Sequence, residues 1–290
     1  MLRVVVLMGG RSTEREISIK SGEAVLKALR QLGHEAIALD LSEDLCQKLK
    51  EVKPDKVFIA LHGTYGEDGR IQGLLDLLGI DYVGSGVMGS SIAMDKDITK
   101  KIVSYQGVPV PRWICLRSPQ EDFRWEHYPS IVKPADQGSS VGLFLAKNEK
   151  EVREAIDRCF KVTRKVMIEE YIEGKDITVG ILKHEALPPI EIRPKKGIYD
   201  YESKYTRGMS EYVFVEDKDL VEKLQELALT IHTSLELRDF SRIDFRLSRE
   251  GKPYFLEVNT IPGLTELSLF PMACKRAGID FTTMISKLLS

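Results

Sequence analysis

The chain has 290 residues, 43% of them hydrophobic, enough for a large buried core and more than one lobe. Its formal charge is −2 and its pI about 6.3, so it lacks the excess of Lys and Arg on which nonspecific binding to nucleic acid or a membrane surface relies. Cys46, Cys115, Cys159 and Cys274 are scattered and form no CxxC pattern, which argues for reduced thiols over a disulfide framework or a zinc site. No stretch approaches the ~20 apolar residues that span a bilayer, so the chain reads as soluble and cytoplasmic.

Residues 2–8 are a continuous apolar run, as a strand buried on both faces of a parallel sheet requires. The run ends at Gly9-Gly10 and leads straight into a charged helix, so it is a first strand and not a signal segment. Thr13-Glu14-Arg15-Glu16 fits a capping box with Thr13 as N-cap and Glu16 at the third helical position. Ile17, Val25, Ala28, Leu29 and Leu32 follow at helical spacing, and Gly33 ends the helix. Strands over 36–41, 56–61 and 81–83 alternate with helices over 43–50 and 68–78, giving a doubly wound α/β domain over residues 1–84. The Gly-Gly turn lacks GxGxxG, and Asp40 is a doubtful acidic partner, which counts against a dinucleotide site.

After Gly84-Ser85-Gly86 the pattern predicts helices near 88–94, 96–106 and 149–160 and strands at 112–116, 130–135, 142–147 and 166–171. Strands at 176–183 and 187–193 lead into a long polar stretch from Pro194 to Glu211, and a loop of that length is more often functional than idle. A helix at 217–236, a hairpin at 240–258 and two short helices complete an α+β second half.

The hairpin is the most informative segment. Two apolar strands flank Arg249-Glu250-Gly251-Lys252, and a two- or four-residue loop gives the same register, with Asp244 facing Glu257 and Arg242 facing Asn259. Alternation puts Glu257 and Asn259 on one face with Asp244 beside them. Opposed carboxylates destabilise a ladder unless a cation compensates, and hard oxygen donors suit Mg²⁺; the plainer reading is a solvated polar face. Upstream, Lys133 ends a strand that runs into Gly138-Ser139-Ser140-Val141-Gly142, a loop whose N–H groups and hydroxyls suit phosphate oxygens, or an ordinary turn. It is no Walker loop. The strand Val166–Tyr171 leaves an apolar core for an acidic end, where main-chain groups could meet a purine edge or simply solvent.

The segments LMGGRSTEREISIKSG, ALHGTYGEDGRIQGLL, GSGVMGSSIAMDK, VKPADQGSSVG, YDYESKY, RIDFRL and LEVNTIPGLTELSLFPMA, in this order, resemble the ATP-grasp superfamily and, more narrowly, the D-alanine–D-alanine ligases. The resemblance runs from the first strand to the last helix. It implies a parallel-sheet pre-ATP-grasp domain (1–84) followed by a two-lobed ATP-grasp fold, with a central lobe (85–168) and a C-terminal lobe (169–290). It implies a cytoplasmic homodimer that makes D-alanyl-D-alanine for the cell wall from two D-alanines and ATP. The cofactors would be two Mg²⁺ ions, with Mn²⁺ as a substitute. Within the superfamily, D-lactate or D-serine as second substrate is the alternative, and a non-ligase nucleotide-binding protein is the rival class.

By the same resemblance Glu14 pairs with the ammonium of the first D-alanine, linked to Ser139 and Tyr205. Arg242 and the Gly263 N–H stabilise the oxyanion, and Ser268 and the Leu269 backbone hold the second carboxylate near His62. Lys96 and Lys133 meet the ATP phosphates, and Lys204 reaches the γ-phosphate from a lid over 195–211. Glu169 and the main chain at Ile172 meet adenine, Asp176 the ribose, and Asp244, Glu257 and Asn259 the metal. Two positions depart from the family pattern: Glu170 stands where Lys is frequent, and Asp176 is one methylene shorter than the usual Glu, which bears on the ribose contact. Read without the family, Glu14 also suits a first-turn acid facing the helix dipole, His62 a turn histidine and Tyr205 a loop aromatic.

Overall fold

The computed structural model describes residues 1–138, 142–195, 208–265 and 268–290. The first unit runs β1 (Arg3–Met8), α1 (Arg15–Gln31), β2 (Glu35–Asp40), α2 (Leu45–Val52), β3 (Lys56–Ile59), α3 (Arg70–Leu78) and β4 (Tyr82–Val83). Its strands form one parallel sheet in the order β2-β1-β3-β4. Val4 to Leu7 are fully buried, which explains why β1 is apolar without alternation.

The capping box is not formed. Helix α1 begins one residue later than a Thr13 cap implies, with Glu14 at the N-cap and no side-chain cap. Ser12 organises the entry instead: its hydroxyl accepts the Glu14 N–H at 3.2 Å and donates to the His62 carbonyl at 2.7 Å. That local bond competes successfully with a Thr13 cap and leaves the Glu14 carboxylate to other work.

Next come α4 (Val87–Met94) and α5 (Lys96–Tyr105), then β5 (Trp113–Leu116), β6 (Ser130–Pro134), β7 (Phe144–Ala146), α6 (Glu149–Cys159) and β8 (Val166–Glu170). The four strands pair antiparallel in the order β5-β8-β6-β7, and α6 packs on them through Val152, Ala155, Ile156 and Cys159. The last unit has β9 (Gly174–Leu182), β10 (Glu185–Ala186), β11 (Ile190–Pro194), β12 (Ser210–Phe214), α7 (Lys218–Ser234), β13 (Phe240–Ser248), β14 (Pro253–Asn259), α8 (Leu269–Arg276) and α9 (Phe281–Leu289). Its antiparallel sheet runs β12-β11-β9-β13-β14, with β10 on β9. Strand β12 falls partly in the stretch expected to be loop; it sits at the sheet edge with no side chain fully buried, so it carries little apolar signal.

One face of this sheet is apolar: Ile177, Val179, Ile181, Ile243, Phe245, Phe255 and Val258 bury against Leu224, Ala228 and Ile231 of α7. The other face carries Asp176, Thr178, Gly180, Arg242, Asp244 and Arg246 in register across β9 and β13. The two C-terminal helices leave this lobe and join the core of the first, where Met284, Ile285, Leu288 and Leu289 cluster with Val4, Val25 and Leu29. All four cysteines are free thiols, and among the described residues no helix is long and apolar enough to cross a membrane.

Candidate active site

On the hairpin, Asp244 pairs with Glu257 and Arg242 with Asn259, the register expected from the sequence. The turn is not the expected one. Ser248 N–H donates to the Lys252 carbonyl and Gly251 N–H to the Ser248 carbonyl, closing a three-residue loop, with Gly251 at φ +75°. That shifts the ladder by one, so Phe245 faces Phe255 and Leu247 faces Pro253. A bulge at Leu256 restores the register before the carboxylates. The pair then sits among cations: the Arg242 guanidinium grips both Asp244 oxygens at 3.0 and 2.9 Å, and the Lys96 ammonium lies 3.3 Å from Glu257. Thr178 donates to Asp244 at 2.6 Å, and the Asn259 amide oxygen accepts the Ile261 N–H at 3.1 Å. Among the described residues no three His, Cys, Asp or Glu side chains cluster as a metal site. Two opposed carboxylates with an amide oxygen on the same strand face are nonetheless an all-oxygen set, which fits a hard divalent ion and not zinc.

Above the hairpin lies a cluster of buried charge. Asp95 caps α5 by accepting the N–H groups of Asp97 and Ile98, which sets Lys96 at the first helical position and Lys100 one turn on. Lys96 donates to the Gln137 carbonyl at 2.7 Å, tying the loop after β6 to the hairpin. Lys133 meets Glu169 at 3.0 Å. Lys100, with 0% of its surface exposed, meets the same carboxylate at 2.7 Å and donates to the Phe255 carbonyl at 3.0 Å. The Lys100 ammonium thus compensates Glu169 Oε2, and Lys133 compensates Oε1. Burial pushes the Lys100 ammonium down to about 8. Burial works against the Glu169 carboxylate too, but the two lysines overcome it and hold the carboxyl below its ordinary value.

Arg246, two residues beyond Asp244 on the same strand face, organises the neighbouring positions. It pairs with Asp176 at 2.8 Å, donates to the Ile172 carbonyl at 2.9 Å and reaches the Tyr171 hydroxyl at 2.9 Å. The sequence reading assigned no role to Arg246 or Lys100, although period-two alternation from Arg242 and helical spacing from Lys96 point to both.

On the opposite side the Glu14 carboxylate is packed between two glycines. A Cβ on Gly63 would stand 2.9 Å from Glu14 Oε2, and one on Gly138 3.4 Å. Gly63 has φ +72° as well, so a side chain there would be strained and would displace the acid. Glu67, missed in the sequence reading, is buried nearby and accepts the Gly63 N–H at 2.6 Å. Burial, and then the Glu14 charge, push its carboxyl up to about 8. His62 is buried with both ring nitrogens engaged, one 3.0 Å from the Ile261 carbonyl and the other 3.0 Å from the Ser21 hydroxyl. Burial lowers its affinity for a second proton.

Between β14 and α8 the backbone is almost fully engaged. Ile261 N–H goes to Asn259, Leu264 N–H to Ser21, and Thr265 N–H to the Ser268 hydroxyl. Pro262 has no N–H, and among the described residues nothing accepts the N–H of Gly263. A Cβ on Gly263 would come within 2.8 Å of the Ser268 hydroxyl. Ser268 stands at the N-cap of α8 but turns its hydroxyl to Thr265 rather than to the helix, so the Leu269 end of the helix is not capped by it. Ser139, Lys204 and Tyr205, with most of the expected lid, lie outside the described residues.

A parallel-sheet unit followed by two antiparallel lobes, with buried Lys96 facing the hairpin carboxylate Glu257, is the ATP-grasp architecture. Comparison with known proteins narrows it. Residues 101–290 match the model of the D-ala D-ala ligase C-terminus, and residues 42–85 that of the N-terminus. The chain belongs to the D-alanine–D-alanine ligase family. It is 56% identical over 291 residues, covering 100% of both chains, to the D-alanine–D-alanine ligase of Aquifex aeolicus. The ligase of Bacillus anthracis complexed with ATP superposes with a TM-score of 0.88 at 32% identity, over 100% of this chain and 96% of the other. The VanG D-Ala:D-Ser ligase of Enterococcus faecalis gives 0.84 at 28% identity, over 99% and 98%.

Proposed function

We propose that this chain is an ADP-forming ligase that joins two D-alanines at the expense of ATP, supplying a dipeptide for peptidoglycan. The observation that carries the reading is the hairpin: Asp244 opposite Glu257, with Arg242, Lys96 and Asn259 around them. A carboxylate oxygen of the first D-alanine attacks the γ-phosphorus, the bond to the bridging oxygen breaks, and ADP leaves. The second D-alanine, as the free amine, then attacks the carbonyl carbon of the acyl phosphate; the tetrahedral intermediate collapses as the C–O bond to phosphate breaks and the nitrogen proton leaves with the phosphate.

In this reading Lys96 and Lys133 contact the phosphates, Glu169 and the Ile172 main chain meet adenine, and Asp176, held by Arg246, meets the ribose. Asp244, Glu257 and Asn259 hold two Mg²⁺ ions, for which Mn²⁺ substitutes; when bound they neutralise charge on the transferring phosphoryl group. Glu14 receives the first ammonium, with Ser139 and Tyr205 completing its network and Lys204 closing over the γ-phosphate. Arg242 and the Gly263 N–H face the oxyanion. Ser268 and the Leu269 backbone take the second carboxylate, while His62 holds the 261–264 segment beneath it. The division into lobes at 84/85 and 168/169, the homodimer and the cytoplasmic location belong to the same proposal.

The test is phosphate release from ATP with D-alanine, L-alanine, D-serine and D-lactate supplied singly and in pairs. Release with D-alanine alone and formation of the dipeptide support the reading. Preference for D-lactate or D-serine in competition at neutral pH overturns the second-substrate assignment.

A further inference from the structure

We infer that Ser21 is a positioning residue for the oxyanion donor: with His62 it clamps both sides of Gly263 from helix α1. The inference rests on the reading that the Gly263 N–H faces the oxyanion.

The hydrogen-bond directions follow from chemistry alone. The Ile261 carbonyl can only accept, so the His62 Nδ1 at 3.0 Å must carry its proton. The ring is buried and neutral, which leaves Nε2 as a bare acceptor, and the Ser21 hydroxyl at 3.0 Å donates to it. Ser21 Oγ, its proton committed, accepts the Leu264 N–H at 3.2 Å. Ile261 and Leu264 bracket Pro262 and Gly263, so the three bonds fix the peptide planes before and after the donor. Every other N–H from 261 to 265 is already engaged, and Pro262 restricts the turn further.

Ser21 has 0% of its surface exposed, and its placement depends on close helix–strand packing. A Cβ on the adjacent Gly22 would collide with Met8. One turn earlier Ser18 accepts the Gly9 N–H and donates to the Ala60 carbonyl, pinning the helix to the ends of β1 and β3. The clamp therefore carries the rigidity of the first sheet to a loop of the C-terminal lobe. Preorganised donors are what an oxyanion site needs, and losing one such donor costs ~100-fold or more in kcat.

The experiment compares wild type with Ser21→Ala and Ser21→Thr. In Ser21→Ala, kcat should fall about tenfold, short of complete donor loss, with KM for ATP unchanged. ADP released per dipeptide should rise above one, because the acyl phosphate waits longer and is lost to water. The His62 Nε2 and the Leu264 amide should shift in ¹⁵N spectra as each loses its bond to the Ser21 hydroxyl, while the Ile261 carbonyl keeps the ring proton on Nδ1. Ser21→Thr keeps the hydroxyl and should retain the wild-type His62 Nε2 and Leu264 resonances and coupling ratio. Unshifted resonances in Ser21→Ala, or a threonine variant that behaves like alanine, overturn the clamp. Shifted resonances with unchanged kcat and coupling overturn the inference through the oxyanion reading of Gly263.

Discussion

Around Glu169 two ammonium groups, Lys100 and Lys133, share one carboxylate; around Glu67 a second acid, Glu14, crowds a carboxyl that meets a backbone N–H. Both centres are buried and both lie beside the candidate site, yet burial resolves oppositely in them. At Glu169 fixed cations hold the acid ionised, and part of the cost appears on Lys100, whose proton is loosened. At Glu67 the neighbouring charge has the wrong sign, and the carboxyl keeps its proton instead. The side expected to meet polyphosphate is thus preloaded with positive charge. The side expected to meet the amino acids adjusts its charge with a proton.

The largest effect is expected at the hairpin between the two regions. Asp244→Asn or Glu257→Gln should leave the fold intact, because each loses an ion pair with Arg242 or Lys96 but also relieves a like-charge contact, and should lower kcat by about a thousandfold or more at saturating Mg²⁺. Unchanged kcat in both variants would falsify the metal assignment. The lysine-rich side comes next. Lys100→Met leaves Glu169 with Lys133 as its one remaining ammonium, and urea unfolding should show a loss of roughly 3–5 kcal/mol. Lys100→Met with Glu169→Gln should recover part of that loss; a double variant no more stable than the single one would show that packing, and not charge, is at stake.

The last effect, and the sharpest on the comparison, is at Glu67. Its carboxyl stands near 8 in the folded protein against an ordinary 4.5, so the folded state binds a proton that the unfolded state releases. This contribution is present below pH 4.5, declines as pH rises to about 8, and is flat beyond. Glu67→Gln keeps an acceptor for the Gly63 N–H and should remove that slope, worth on the order of a few kcal/mol. Unfolding at pH 5, 6.5 and 8 measures it; parallel curves for wild type and variant would show that Glu67 is ionised throughout.

The facing of Asp244 and Glu257 was legible because alternation along two apolar strands leaves few registers. It held despite a wrong turn length, since the Leu256 bulge offsets the three-residue loop. The parallel sheet and its order of elements were legible for the same reason: continuous apolar strands and helical periodicity are local signals. The surroundings of Glu67 and Lys100 were not, although helical spacing from Lys96 marks the position of Lys100: Lys100 meets a carboxylate on β8 and a carbonyl on β14, both far away in sequence. Ser21 looks like any polar helix residue until His62 and Leu264 are brought to it. The Thr13 cap failed to a competitor one residue away, Ser12, whose bond to the His62 carbonyl no periodicity could reveal.

The docking of α9 against α1 and β1 bears on how the protein is made. Met284, Ile285, Leu288 and Leu289 belong to the same core as Val4 and Leu29, and Lys56 donates to the Leu289 carbonyl. As the chain leaves the ribosome, the first sheet emerges early with part of its apolar surface still lacking its cover. That surface must stay exposed, or be shielded by chaperones, through translation of both later lobes. This lobe, made before the two that follow it, is therefore completed after them.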